Sequence, residues 1–169
     1  MTQRLLEIDA DLTKRLRIAE RPGPLRMLAS ILAHSGDSWF WLLGMILLWM
    51  LGSEPWRSMA QMLVVAILLS ALLVMIIKFS VRRSRPEGNW GSIYRNTDPH
   101  SFPSGHAVRA VLLAVMAIAF MPPWLAIVLV VWAPLVALAR VAMGVHYLSD
   151  VLVGMALGAA LGLGFLYVL

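Results

Sequence analysis

Two histidines, three cations and one carboxylate are spaced along this chain in a way that could cleave a phosphate ester. Lys78 and Arg85-Pro86 form one polar island. Pro103-Ser104-Gly105-His106 forms a second, and Arg140, His146 and Asp150 form a third. Ser104 stands where it can cap a following helix. Gly105 lets a ligand approach the backbone closely, and the free N–H groups of a first helical turn attract an anion. His106 lies in that same turn. His146 and Asp150 are four residues apart, which puts them on one face if both lie on a helix. A carboxylate on one ring nitrogen fixes the tautomer and makes the other nitrogen a better nucleophile or base. Arginine binds phosphate oxygens through paired hydrogen bonds.

Each island has an ordinary reading by itself: a helix cap with an incidental histidine, a structural His–Asp pair, cations reaching for headgroups. What the ordinary readings leave unexplained is the setting. The chain has 169 residues, 60% of them hydrophobic and 14% charged, with mean hydropathy +0.80. Cations at membrane depth are costly, and an arginine inside an apolar helix needs an anion. Two histidines and an aspartate could hold zinc, but Lys78, Arg85 and Arg140 would repel the ion. There are no cysteines, which excludes disulfides, iron–sulfur centres and thiolate zinc sites. Nucleic-acid binding explains the net charge of +5 poorly, because the basic residues flank apolar segments.

The elements that must position these residues are helices. The apolar stretches are long and continuous rather than short and alternating, which argues against a transmembrane β-barrel. The reading is all-α, a polytopic transmembrane bundle of about five spans with an N-terminal interfacial helix. In residues 1–24, Leu5, Leu6, Ile8, Leu12, Leu16 and Ile18 share a helical face opposite Lys14, Arg15 and Arg17. That pattern predicts a helix lying in the interface, ending near Arg21-Pro22-Gly23-Pro24; a partly ordered tail is the alternative. Residues 1–20 lack the apolar core of a cleavable signal peptide. A short helix is expected over 25–36, and Asp37 or Ser38 can cap the next. Spans are expected at 39–51, 56–77, 104–121, 124–144 and 150–169. The first is short for a crossing and either borrows turns from 25–36 or meets a thin region. Pro134 predicts a kink. The organisation is therefore residues 1–36 as interfacial helices and 37–169 as a transmembrane catalytic domain.

Gly154, Gly158 and Gly162 let the last helix approach a neighbour closely, inside the chain or in a homodimer. Five crossings put all three islands on one side. Of the 14 lysines and arginines, only Arg57 falls on the other side. Setting aside Lys78, Arg82, Arg83, Arg85, Arg109 and Arg140 as candidate site residues, the excess persists, which places that side in the cytoplasm of the cell membrane. Arg109, three residues after His106, is expected to snorkel; contact with a substrate headgroup is the alternative. Trp90, Ile93 and Tyr94 are expected at the bilayer surface, guiding a lipid in. Arg82, Arg83 and Arg95 lie outside the islands.

The ordered pattern K-x6-R-P, P-S-G-H, R-x5-H-x3-D resembles the three signature blocks of the type 2 phosphatidic acid phosphatase superfamily. Gly144, Val151-Leu152 and Gly154 also fit the third block. The resemblance runs from about Gly36 to the C-terminus. It implies a membrane lipid phosphatase without metal or other cofactor, acting on a lipid phosphate or diphosphate in the bilayer. His146 would be the nucleophile forming a phosphohistidine, oriented by Asp150, and His106 the general acid. Lys78, Arg85, Ser104, Gly105 and Arg140 would cradle the phosphoryl oxygens. Phosphatidate, phosphatidylglycerophosphate and polyprenyl phosphates or diphosphates all fit. A phosphotransferase of the same superfamily is the alternative, and a small channel or transporter a remoter one. Two departures stand out: Ala139 precedes Arg140 where the family often has serine, and many bacterial relatives have six spans.

Overall fold

The computed structural model describes residues 2–88, 90 and 97–168, and among them the secondary structure is helical apart from one isolated bridge between Ser84 and His100. The helices are α1 (Thr2–Leu16), α2 (Pro24–Ser35), α3 (Ser38–Leu51), α4 (Glu54–Val81), α5 (Gly105–Phe120), α6 (Pro123–Ala142) and α7 (Leu148–Val168). Ile93, Tyr94 and Arg95 fall outside the described residues.

Among the described residues, three helices are long and apolar enough to cross a bilayer alone: α4, α6 and α7. α2 and α3 pass that test only as a pair, bent by 54° at their junction. α3 alone, with 14 residues, is thus short for the expected first span. The bend between α2 and α3 is held by side chains: the Trp41 indole N–H donates to the Ser35 carbonyl at 3.0 Å, and Trp132 donates to Ser35 Oγ at 2.8 Å. α5 has 16 residues, about 24 Å at helical rise, against a hydrocarbon core of about 30 Å. It is the innermost helix and packs chiefly on α6 and α7, with α4 alongside. Its Leu112, Leu113 and Met116 meet Leu63 and Ile67 of α4 and Met45 of α3 in the largest core cluster.

Outward faces are apolar. Leu68, Leu72 and Ile76 of α4, Ile127 and Val131 of α6, and Leu152 and Leu163 of α7 are all exposed. A soluble protein would cover such a belt; lipid does it here.

The glycine stripe explains how α5 and α7 come together. A Cβ on Gly154 would stand 2.8 Å from the Ser104 carbonyl oxygen, and one on Gly162 2.7 Å from Val115 Cβ; one on Gly158 would collide with the Val108 carbonyl. The stripe is filled by α5, so the alternative use, a homodimer through that same face, would require α5 to leave it. The close contact sets the second island beside the third, with the Ser104 N–H donating to the Asp150 carbonyl at 3.0 Å.

Boundaries shifted where tertiary contacts compete. α4 continues past Ile77 to Val81, so Lys78 is inside the helix, and Arg82 ends it in a left-handed conformation. α1 stops at Leu16, short of Arg21, because the Ile18 N–H instead donates to the Ala142 carbonyl at the end of α6. α6 runs from Pro123 to Ala142 with Pro134 inside it.

Candidate active site

Four helix ends meet at one end of the bundle: the C-termini of α4 and α6 and the N-termini of α5 and α7. Between them is a cavity of about 170 Å³ lined by Lys78, Arg85, Gly105, His106, Arg140 and His146, together with Asp98, Arg109, Ser38, Ser70, Ala71, Val74 and Met75. Six of the eight residues singled out from sequence share this wall. Asp150 stands behind His146. Ser104 is also set back; its hydroxyl is buried and finds no hydrogen-bond partner among the described residues.

His146 is not on a helix with Asp150, as the four-residue spacing suggested. It lies in the turn between α6 and α7, which Gly144 makes possible with φ of +67°. Its Nε2 is 3.2 Å from Arg85 Nη1. A guanidinium can only donate, so Nε2 accepts and the ring proton is on Nδ1. Nδ1 faces Asp150 Oδ2 at 3.6 Å, an electrostatic contact longer than a hydrogen bond. The same Oδ2 accepts the Tyr147 N–H at 2.9 Å. Burial, with Arg85 and Arg140 nearby, pushes the His146 pKa down to about 3, against the pull of Asp150. The ring is therefore neutral at ordinary pH, with its lone pair directed at the cations.

Asp150 is fully buried and held by a residue the sequence reading left outside the islands. Arg83 Nη1 donates to Asp150 Oδ1 and to Ser149 Oγ, both at 2.7 Å, and Arg83 Nη2 donates to Asp9 Oδ2 at 2.7 Å.

His106 has its own carboxylate. Its Nε2 lies 2.6 Å from Asp37 Oδ1. Asp37, with Ser38 one of two candidate caps for α3, stands at the cap position but makes no side-chain capping bond; its carboxylate serves His106 and His34. Arg109 does not snorkel. It is buried, and its Nε and Nη2 donate to the Gly36 carbonyl at 3.0 and 2.6 Å, tying the α2–α3 break to α5. Neither pairing was visible locally, since the partners are about seventy residues apart. The available signal was the carboxylate Asp37 beside a glycine between two apolar helices, where a cap alone explains it weakly.

Asp98 occupies the anion position between the cations. Its side chain pairs with Lys78 Nζ and accepts Arg85 Nη2 at 2.8 Å, while its carbonyl accepts Arg85 Nε at 2.7 Å. A carboxylate sits where phosphate oxygens would be recognised by the same donors.

A family model described as "PAP2 superfamily" matches residues 60–169. The chain belongs to the PAP2 superfamily. Among curated relatives, it is 34% identical over 149 residues to a decaprenylphosphoryl-5-phosphoribose phosphatase of Mycobacterium tuberculosis, covering 86% of this chain and 80% of that one. It is 29% identical over 164 residues to a lipid A 1-phosphatase of Rhizobium johnstonii, covering 83% and 66%. Two solved structures share the fold. The Aquifex aeolicus LpxE crystal structure has a TM-score of 0.73 at 24% identity, covering 93% of each chain. A PAP2-type phosphatidylglycerolphosphate phosphatase from Bacillus subtilis has a TM-score of 0.77 at 23% identity, covering 98% of this chain and 86% of that one.

Proposed function

We propose that this PAP2 protein removes the terminal phosphate of a lipid through a phosphohistidine on His146. It is an integral membrane lipid phosphatase; the chemistry below is our reading. The observation that carries it is the convergence of His146, His106, Lys78, Arg85 and Arg140 on one small cavity at the ends of four apolar helices. The substrate phosphate displaces the Asp98 carboxylate and takes its donors. Arg85 then binds a phosphoryl oxygen, which frees the His146 Nε2 lone pair to attack phosphorus. As the N–P bond forms, the ring becomes cationic and Asp150 stabilises it through Nδ1. His106 enters the cycle doubly protonated, its Nε2–H held by Asp37, and transfers the Nδ1 proton to the departing alcohol or phosphate oxygen. Water, deprotonated by His106, cleaves the N–P bond in the second half and returns both histidines to their starting states. Gly105, with the first-turn N–H groups of α5, and the Ser104 hydroxyl supply further phosphate donors.

A lipid substrate is supported by the apolar wall of the cavity, Ala71, Val74 and Met75 of α4, facing the cations. Phosphatidate, phosphatidylglycerophosphate and polyprenyl phosphates all present such a group. We place the site on the cytoplasmic face of the cell membrane from the distribution of basic residues. Residues 1–36 act as interfacial helices for a catalytic domain of 37–169; the exposed Leu5, Leu6, Ile8, Leu12 and Leu16 of α1 support the interfacial part. The test is phosphate release from a lipid panel in EDTA, with His146→Ala in parallel. Release by the parent in EDTA and none by the variant is expected; strict dependence on added divalent metal contradicts the proposal.

A further inference from the structure

Helix α1 reaches the catalytic centre through two side chains one turn apart. Asp9 Oδ1 accepts the Ser149 N–H at 3.0 Å, and Oδ2 accepts Ser149 Oγ at 2.5 Å and Arg83 Nη2 at 2.7 Å. Thr13 Oγ1 accepts the Leu148 N–H at 3.0 Å. Leu148 and Ser149 open α7, and the amides of a first helical turn have no partner in their own helix. α1 therefore caps α7 from outside, two residues before Asp150. The leucines of α1 point away from this contact and are exposed, while Thr13 is buried.

Charge makes the contact more than a cap. Arg83 lies between two carboxylates, Asp9 and Asp150, each at 2.7 Å, with the Tyr147 ring 4.0 Å from its guanidinium carbon. Two anions share one cation, so the group keeps one negative charge beside His146 Nδ1. Positive charge develops there when Nε2 bonds to phosphorus. Without Asp9, Arg83 and Asp150 would neutralise each other, and the developing imidazolium would lose its counter-charge.

We propose that Asp9 is a positioning residue for the nucleophile: by taking half of Arg83 it leaves a net negative charge at Asp150, fixed beside His146. The inference rests on His146 being the nucleophile. Asp9 itself is held ionised: burial works against it, but the bonds from Ser149 and Arg83 win and lower its pKa.

The test uses the full chain in lipid vesicles and reads kcat, KM and inhibition by orthovanadate, which takes the trigonal-bipyramidal shape of the transferring phosphoryl group. An inhibition constant does not depend on the fraction of protein folded. Asp9→Asn is expected to lower kcat and raise the vanadate inhibition constant by roughly tenfold each, with KM little changed. Thr13→Val, which removes a cap and no charge, should lower thermal stability and leave vanadate inhibition unchanged. Asp11→Asn, on the exposed face where Asp11 pairs with Arg15, should change nothing. In an Arg83→Gln background Asp9→Asn should cost little more, because no cation remains to be shared. If Asp9→Asn folds poorly, the vanadate constant of its residual folded fraction carries the test. Unchanged vanadate inhibition in Asp9→Asn, equal effects from Thr13→Val, or full additivity with Arg83→Gln would overturn the proposal. An inactive His146→Ala alongside an unaffected Asp9→Asn sinks this inference alone, whereas an active His146→Ala removes the reading beneath it.

Discussion

His146 and His106 face one cavity, yet they are held to different degrees. The His146 side chain is 1% exposed and its carboxylate, Asp150, 0%. Asp150 is in turn fixed by Arg83 and by the Tyr147 N–H, so residues from α1, the loop after α4 and the α6–α7 turn all bear on one imidazole. The His106 side chain is 17% exposed and its carboxylate, Asp37, 21%. Asp37 stands at the bent junction of α2 and α3 and shares its charge with the exposed His34. The difference fits the two jobs proposed for these rings. A nucleophile must hold its lone pair in line with the breaking bond through both halves of a reaction. A proton donor must meet leaving oxygens of varied lipids and then a water, which a wetter and less constrained wall permits.

The comparison can be broken most forcefully at the rings themselves. His146→Ala should lower kcat more than about a thousandfold, since it removes the group proposed to accept the phosphoryl transfer. His106→Ala should cost about a hundredfold or more with an ordinary alkoxide leaving group. Substrates with a good leaving group, such as an aryl phosphate lipid analogue, should recover much of the His106→Ala loss and none of the His146→Ala loss. Equal recovery in both would erase the assigned division of labour.

Smaller changes sharpen it. Asp37→Asn should reduce kcat by roughly tenfold, the worth of one charge-assisted bond, and the reduction should shrink with the same activated substrates. Asp98→Asn should act in the opposite direction. It removes the resident anion from between Lys78 and Arg85, so KM and inhibition by inorganic phosphate should both tighten, by roughly threefold for this partly exposed pair. Weaker phosphate inhibition in Asp98→Asn would mean that Asp98 organises the cations rather than competing for them.

Much of this site was legible because buried charge is hard to hide. Lys78, Arg85 and Arg140 stand in or beside apolar helices, and only an anion explains all three. The glycines of α7 likewise announced a close helix contact. What was not legible is the choice of partners. Nothing near Asp37 in sequence points to His106, and nothing near Asp9 points to Ser149 or Arg83. Arg109 read as a snorkelling residue because its spacing gives a face but not the Gly36 carbonyl it meets. The His146–Asp150 spacing suggested one helix, yet Gly144 ends α6 early and puts His146 in a turn. These are tertiary outcomes, set by how α1 and the α2–α3 bend dock on the bundle.

The most direct test is to quench turnover of a lipid carrying radiolabelled terminal phosphate and ask where the label resides. The parent should carry an acid-labile, base-stable phosphate on the peptide containing His146, and His146→Ala should carry none. A parent that turns over without any protein-bound label, or label that persists in His146→Ala, would contradict the account.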